Sequence, residues 1–224
     1  MNLYRQLRNR ASSESTERKL FQVYDQFRDF TMIASDVYVD NLRLAERIRH
    51  IDGCVVECGV WRGGMSAGIA RLLGSKREYY LFDSFEGLPP AREIDGKAAL
   101  EWQRDSQSVN YYDNCTAAPE FANQAMRRAA ATSFHLVKGW FDQTLPGFTP
   151  SSLIALLRLD ADWYDSTMLC LENLFDHMAP GGLILLDDYY TWDGCSRALH
   201  DFLSRRSAVE RIRSLGEVCY LEKR

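Results

Sequence analysis

No run of lysine or arginine interrupts the even scatter of charge along these 224 residues, whose 27 basic and 31 acidic side chains leave a net charge of −4. A nucleic-acid partner calls for a basic stripe or patch. The short clusters Arg205–Arg206 and Arg211–Arg213 do not supply one, and Glu210 separates them. No apolar stretch reaches the roughly 18–20 residues that a membrane helix needs. The segment Met1 to Glu17 is polar and lacks the apolar centre of a secretion signal. None of the six cysteines forms a C-x-x-C pair, and His50, His135, His177 and His200 are too scattered for a local zinc motif. Internal repeats and low-complexity stretches are missing as well. The absences exclude a nucleic-acid binder, a membrane protein and a structural zinc module. They predict a soluble cytoplasmic protein with reduced thiols.

What the chain does contain is enough apolar residues, 46%, for a sizeable core. Helical spacing of Leu20, Val23, Phe27, Phe30, Leu42, Leu44 and Ile48 predicts helix over Ser15 to Arg49. Beyond it, short apolar runs alternate with helical patterns. Strands are predicted at Cys54–Val56, Tyr79–Phe82, Phe134–Val137, Leu153–Leu159 and Leu183–Leu186, with a closing pair at Val209–Leu215 and Val218–Glu222. Helices are predicted over Ser66–Leu73, Pro119–Ala131, Ser166–His177 and Arg197–Leu203. The alternation implies an α/β fold: a mostly parallel sheet covered on both faces, with one antiparallel strand at or near an edge. Residues 1–50 read as an N-terminal helical extension and 51–224 as the main domain. A polar insertion over about 85–130, carrying Trp102, Tyr111 and Tyr112, has the length of a lid.

Ligands of such sheets bind beyond the carboxyl ends of the strands, and there an acidic residue or a glycine turn ends each of the first five strands. Glu57-x-Gly59-x-Trp61-x-Gly63-Gly64 links the first strand to a helix whose N-terminus favours negative charge. Glu57 stands where a dinucleotide site has its first glycine, so a pyrophosphate would be repelled and a cationic ligand attracted. S-adenosylmethionine has an ammonium and a sulfonium, and its carboxylate suits the amides near Gly63 and Gly64. A tight turn that merely needs glycine explains the same residues. Asp83 ends the second strand, where an acid can hold ribose hydroxyls, or can cap a turn. Gly139-Trp140 ends the third, where adenine could lie, or the indole could simply be core.

Asp160 and Asp162 close one strand and Asp187-Asp188 another, both in apolar surroundings with Arg158 as the lone basic residue in either segment. Carboxylates packed together raise one another's pKa. A hard divalent cation such as magnesium, calcium or manganese would relieve that, unless the acids are caps or face solvent.

Val56-Glu57-Cys58-Gly59-Val60-Trp61-Arg62-Gly63-Gly64 and Phe82-Asp83-Ser84-Phe85-Glu86-Gly87-Leu88-Pro89 resemble the macrocin O-methyltransferase family. So do Leu159-Asp160-Ala161-Asp162-Trp163-Tyr164-Asp165-Ser166-Thr167, and Pro180-Gly181-Gly182 followed by Asp187-Asp188-Tyr189. The resemblance covers roughly residues 30 to 222. It implies a Rossmann-like class I methyltransferase fold and magnesium-dependent methylation of sugar hydroxyls. Asp160, Asp187 and Asp188 would be the metal ligands and Asp162 the general base. Glu57, Gly59, Val60, Trp61, Gly63, Gly64, Asp83, Ser84, Gly139, Trp140, Asp142 and Asp160 would face the donor, S-adenosylmethionine. A small-molecule hydroxyl is the expected acceptor, and a homo-oligomer joined through the N-terminal helices the expected assembly. A nicotinamide-dependent oxidoreductase, a metal-dependent hydrolase and a non-catalytic protein on the same fold are the competing readings.

Overall fold

A computed structural model describes the backbone of residues 3–224 and the side chains from Ser15 onward. The apolar runs form β1 (Cys54–Cys58), β2 (Tyr79–Asp83), β3 (Phe134–Lys138), β4 (Ile154–Leu159), β5 (Met178–Leu186), β6 (Arg213–Leu215) and β7 (Val218–Glu222). They make one seven-stranded sheet in the order β3-β2-β1-β4-β5-β7-β6. Pairing is parallel from β3 across to β5, and β7 runs antiparallel to both β5 and β6. Every residue of β1 and β4 is buried, which is why they read as unbroken apolar runs instead of alternating ones. The reversed strand, β7, lies one place in from the edge.

The helices are α1 (Leu3–Phe27), α2 (Ser35–Arg47), α3 (Gly64–Leu73), α4 (Lys97–Arg104), α5 (Pro119–Arg128), α6 (Phe141–Thr144), α7 (Tyr164–Leu174) and α8 (Asp193–Arg205). On one face Phe27, Tyr38, Leu42, Ile69 and Met126 from α1, α2, α3 and α5 pack on Val55, Leu156 and Leu185. On the other, Leu171, Leu199 and Phe202 from α7 and α8 pack on Val56, Leu157 and Ile184. Fully burying such a side chain contributes about 1.5–3 kcal/mol. Among the described residues no helix is long and apolar enough to cross a membrane.

The helix expected over Ser15–Arg49 is broken. A 3-10 turn at Arg28–Phe30 follows α1, and Thr31 is extended, its side-chain oxygen accepting the amide of Ile33 at 3.1 Å. The cause is tertiary: the chain bends around the start of α3, where a Cβ on Gly64 would stand 2.5 Å from the Phe30 carbonyl oxygen. Helical periodicity of the apolar residues runs straight through this bend.

The segment between β2 and α5 covers the carboxyl ends of the strands. Buried Asp95 fastens it: one oxygen accepts the amide of Tyr164 at the start of α7 (2.7 Å) and the other the amide of Arg92 (2.7 Å). Trp163 Nε1 donates to the Pro89 carbonyl at 2.9 Å, and Arg92 pairs with Asp165 at 2.6 Å. Within this lid Tyr112, Asp113, Asn114 and Cys115 form one left-handed turn, with φ between 50° and 61°. That hand costs an L-residue about 1–2 kcal/mol, so the lid's own contacts and its docking on α7 hold the turn.

Candidate active site

The strand ends and the lid enclose a cleft of about 910 Å³. Glu57, Gly59, Val60, Trp61, Gly64, Asp83, Ser84, Trp140, Asp142, Asp160, Asp162, Asp187 and Asp188 line it; Gly63 and Gly139 do not. Gly63 has a left-handed backbone (φ 79°), and a Cβ there would stand 2.8 Å from the Cα of Ala122. At Gly63 and Gly64 the missing side chain therefore makes room for the protein's own backbone.

Asp83 braces the turn it faces. One carboxylate oxygen accepts the amides of Val60 (2.6 Å) and Trp61 (2.8 Å), and the other accepts that of Phe85 (2.6 Å). Burial raises its pKa while those three amides pull it back. Ser84 Oγ closes a tight turn, donating to the Gly87 carbonyl and accepting the Glu86 amide. Trp61 (φ 48°) and Asp162 (φ 54°) both sit in the left-handed region, a local strain that clusters at functional sites.

Glu57 is 1% exposed. It accepts the Arg158 guanidinium at 2.7 Å on one oxygen and the Ser66 hydroxyl on the other. Burial pushes its carboxyl up to about 7, opposed by Arg158. The cation beside Glu57 within the chain is Arg158, and Glu57 also lines the cleft.

The aspartates converge. Asp160, Asp187 and Asp188 each present an oxygen, and the three oxygens lie within 4.8 Å of one another. Arg158 reaches Asp160 at 2.9 Å and Asp187 at 2.7 Å. It is the cation that pairs with this cluster among the described residues. Asp188 and Asp162 have neutral donors instead: the Asp162 amide to Asp188 (3.1 Å) and Trp192 Nε1 to Asp162 (3.1 Å). Burial pushes the Asp160 carboxyl up to about 6, against Arg158. Burial and the neighbouring carboxylates hold Asp162 and Asp188 well above the usual range. Three convergent oxygens, hard donors and surplus negative charge fit a divalent cation.

Two features of the site were not read from the sequence. Arg158 is one, treated there only as an exception. The other is a group of indoles above the acids: Trp102, Trp163 and Trp192 stack edge to face or tilted, with centroids 5.4–6.3 Å apart. Trp102 was visible as a lid aromatic, whereas Trp192 follows Asp188 by four residues and gave no signal of its own.

Residues 4–223 match the family described as Macrocin-O-methyltransferase (TylF). An 8-demethyl-8-(2,3-dimethoxy-alpha-L-rhamnosyl)-tetracenomycin-C 4'-O-methyltransferase from Streptomyces olivaceus is 35% identical over 72% of this chain and 62% of its own length. A demethyldecarbamoylnovobiocin O-methyltransferase from Streptomyces niveus is 31% identical over 73% of this chain and 63% of its own. The chain thus spans less than two thirds of these curated relatives. Among solved structures, the O-methyltransferase NovP superposes with a TM-score of 0.71 at 24% identity, covering 87% of this chain and 82% of that one. That likeness establishes the Rossmann-like class I methyltransferase fold.

Proposed function

Because the chain belongs to the Macrocin-O-methyltransferase (TylF) family, we propose that it is an S-adenosylmethionine-dependent O-methyltransferase acting on a sugar hydroxyl of a glycosylated natural product. Magnesium held by Asp160, Asp187 and Asp188 completes the reading. The observation that carries it is the meeting of those three carboxylates within 4.8 Å at the strand ends, beside Asp162 and under a fastened lid. The relatives' names supply the acceptor class.

Asp160, Asp187 and Asp188 would hold a divalent cation, which would lower the cost of ionising a hydroxyl, an otherwise poor nucleophile at neutral pH. S-adenosylmethionine supplies an electrophilic methyl on a sulfonium. The protein's own part is to orient and to move a proton. Asp162, raised in pKa by burial and by Asp160 and held by the Trp192 indole, takes the hydroxyl proton. Asp83 fixes the turn at Val60 and Trp61, so that this turn and the Trp140–Asp142 wall form the donor side. The lid's bonds to Tyr164 and Asp165 hold it over the reacting groups. In this reading residues 1–50 act as a helical cap on a cytoplasmic enzyme. The N-terminal helical region is in this reading the contact of a homo-oligomer, which light scattering checks.

The direct test is release of S-adenosylhomocysteine from a panel of glycosylated aromatic and macrolide compounds and catechols, with magnesium or with chelator. Turnover that persists in chelator removes the metal role, and no turnover with any hydroxylated acceptor removes the sugar reading. Asp162→Asn should lower kcat by roughly 10²–10⁴-fold, the usual range for a lost general base, with donor affinity unchanged by calorimetry. Donor at a hundred times its Kd should stabilise the fold by about 2.7 kcal/mol, or roughly 5–11 °C in Tm for a chain of this size. A melt that responds to NAD and ignores S-adenosylmethionine would favour the oxidoreductase instead.

A further inference from the structure

Arg158 is the largest fully buried side chain among the described residues. A buried guanidinium is tolerated only when its charge and its five donors are met. Here the charge is met from three elements by carboxylates and three of the five donors make hydrogen bonds, while the second terminal nitrogen reaches Asp187 as an ion pair without hydrogen-bond geometry. Nε donates to Asn41 of α2 at 3.2 Å, and one terminal nitrogen reaches both Glu57 of β1 (2.7 Å) and Asp160 beyond β4 (2.9 Å). The other pairs with Asp187 beyond β5 at 2.7 Å. Asn41 closes the circuit by turning its amide toward Asp187 at 3.4 Å.

Strand register explains the meeting. Glu57, Arg158 and Leu185 are aligned neighbours on adjacent parallel strands, so their side chains point to one face. Asp160 and Asp187 lie two residues beyond Arg158 and Leu185 and return to that same face. One positive charge therefore faces three carboxylates. Removing it would leave the Asp160 and Asp187 carboxylates without the cation that bridges them.

We infer that Arg158 is the positioning residue of the proposed metal site, its planar fork holding Asp160 and Asp187 so that an oxygen of each converges with one of Asp188, and that Asn41 keeps the fork in plane. The inference rests on the metal reading above. Each of the two aspartates gives one oxygen to the guanidinium and has a second for another partner, so Arg158 and a cation act on the same carboxylates together. A lysine could replace the charge but could not reach Glu57, Asp160 and Asp187 as a fork. The contact to Glu57 anchors the guanidinium to the strand that leads into the donor-side turn.

The experiment is Mn²⁺ binding followed by electron paramagnetic resonance on the purified full chain, for the unaltered protein, Arg158→Lys and Asn41→Ala. Circular dichroism confirms folding, and donor affinity is measured in parallel by calorimetry. Arg158→Lys should bind Mn²⁺ roughly 10–100-fold more weakly, the range found when a residue supporting a metal ligand is lost. Asn41→Ala, which leaves every charge in place, should weaken it less, and its fold does not depend on a replaced cation. Donor affinity should shift much less than Mn²⁺ affinity in both. Folded variants that bind Mn²⁺ as the unaltered protein does, with only a lower Tm, would overturn the positioning role and leave the metal reading standing. No uptake of Mn²⁺ by the unaltered protein would overturn the metal reading and this inference with it.

Discussion

With Asp188 changed to Asn, methyl transfer is expected to fall by about 10³-fold or more while the cation-free protein melts at a higher temperature. Asp188 is the proposed ligand that touches Arg158 least: its bond is to the Asp162 amide, and it has no cationic partner among the described residues. Asn keeps the shape and an acceptor for that amide but removes one negative charge from the three that face the cation. Charge stabilisation by a metal amounts to several kcal/mol, and each 1.36 kcal/mol is tenfold in rate. The stability effect has the opposite sign. Burial first, then Asp162 and Asp160, hold the Asp188 carboxyl well above its ordinary range. The folded state therefore binds more protons than the unfolded chain once pH rises past about 4, and stability falls with pH across that window. Asn removes this penalty. In chelator at pH 8 the variant should melt above the unaltered protein, by about 2–4 °C for each kcal/mol relieved, and at pH 4 the gap should close. Release of S-adenosylhomocysteine and melting curves at the two pH values read both effects. Full turnover, or equal melting at pH 8, would count against an acid cluster built for a cation.

The acids were legible because strand ends are legible. An apolar run that stops at Asp83, Asp160 or Asp187 announces where a buried strand meets the rim of the sheet, and parallel topology sends those rims to one side. Arg158 could have been found by the same arithmetic. It sits two residues before Asp160, inside an apolar run, where a charge must be paired; aligning β1 with β4 puts it beside Glu57. The signal was present, but it needed a strand register that one sequence does not announce. The bend at Thr31–Ala34 had no such signal, since neither proline nor glycine marks it and its cause is the start of α3. The early start of β5 is similar. Pro180-Gly181-Gly182 reads as a turn, yet Gly181 and Gly182 exchange backbone hydrogen bonds with Lys223, so the end of the chain extends the strand. Asp83 stands at the rim as expected and lines the cleft, and it also accepts the amides of Val60, Trp61 and Phe85, which its position in the sequence did not announce. Local spacing gives position well and partners poorly.

The same limit makes Gly59→Ala the most damaging single change expected in this chain. Gly59 has φ 84°, and a Cβ there would overlap the carbonyl oxygen of Asp160 and stand 2.7 Å from its carbonyl carbon. The obstacle is backbone, so no rotamer change relieves it. Nor can the strands part easily: the Gly59 amide donates to Phe82 at 2.9 Å and the Asp160 amide to Cys58 at 2.9 Å, tying the tips of β2, β1 and β4 together. A clash of this kind belongs with the exceptional losses above about 4–5 kcal/mol, a large share of the 5–15 kcal/mol that typically holds a domain together. Gly74→Ala is the control. Its backbone (φ 106°, ψ 150°) lies in a region essentially confined to glycine, but nothing lies within 4 Å of the added carbon, so about 1–3 kcal/mol of backbone strain is the whole expected cost. Urea denaturation should find Gly74→Ala folded with a modestly lower midpoint, and Gly59→Ala insoluble or without a cooperative transition. If Gly59→Ala instead unfolds like Gly74→Ala, the tips of β1 and β4 are looser than their hydrogen bonds imply. Asp160 would then not be held firmly enough to meet Asp187 and Asp188.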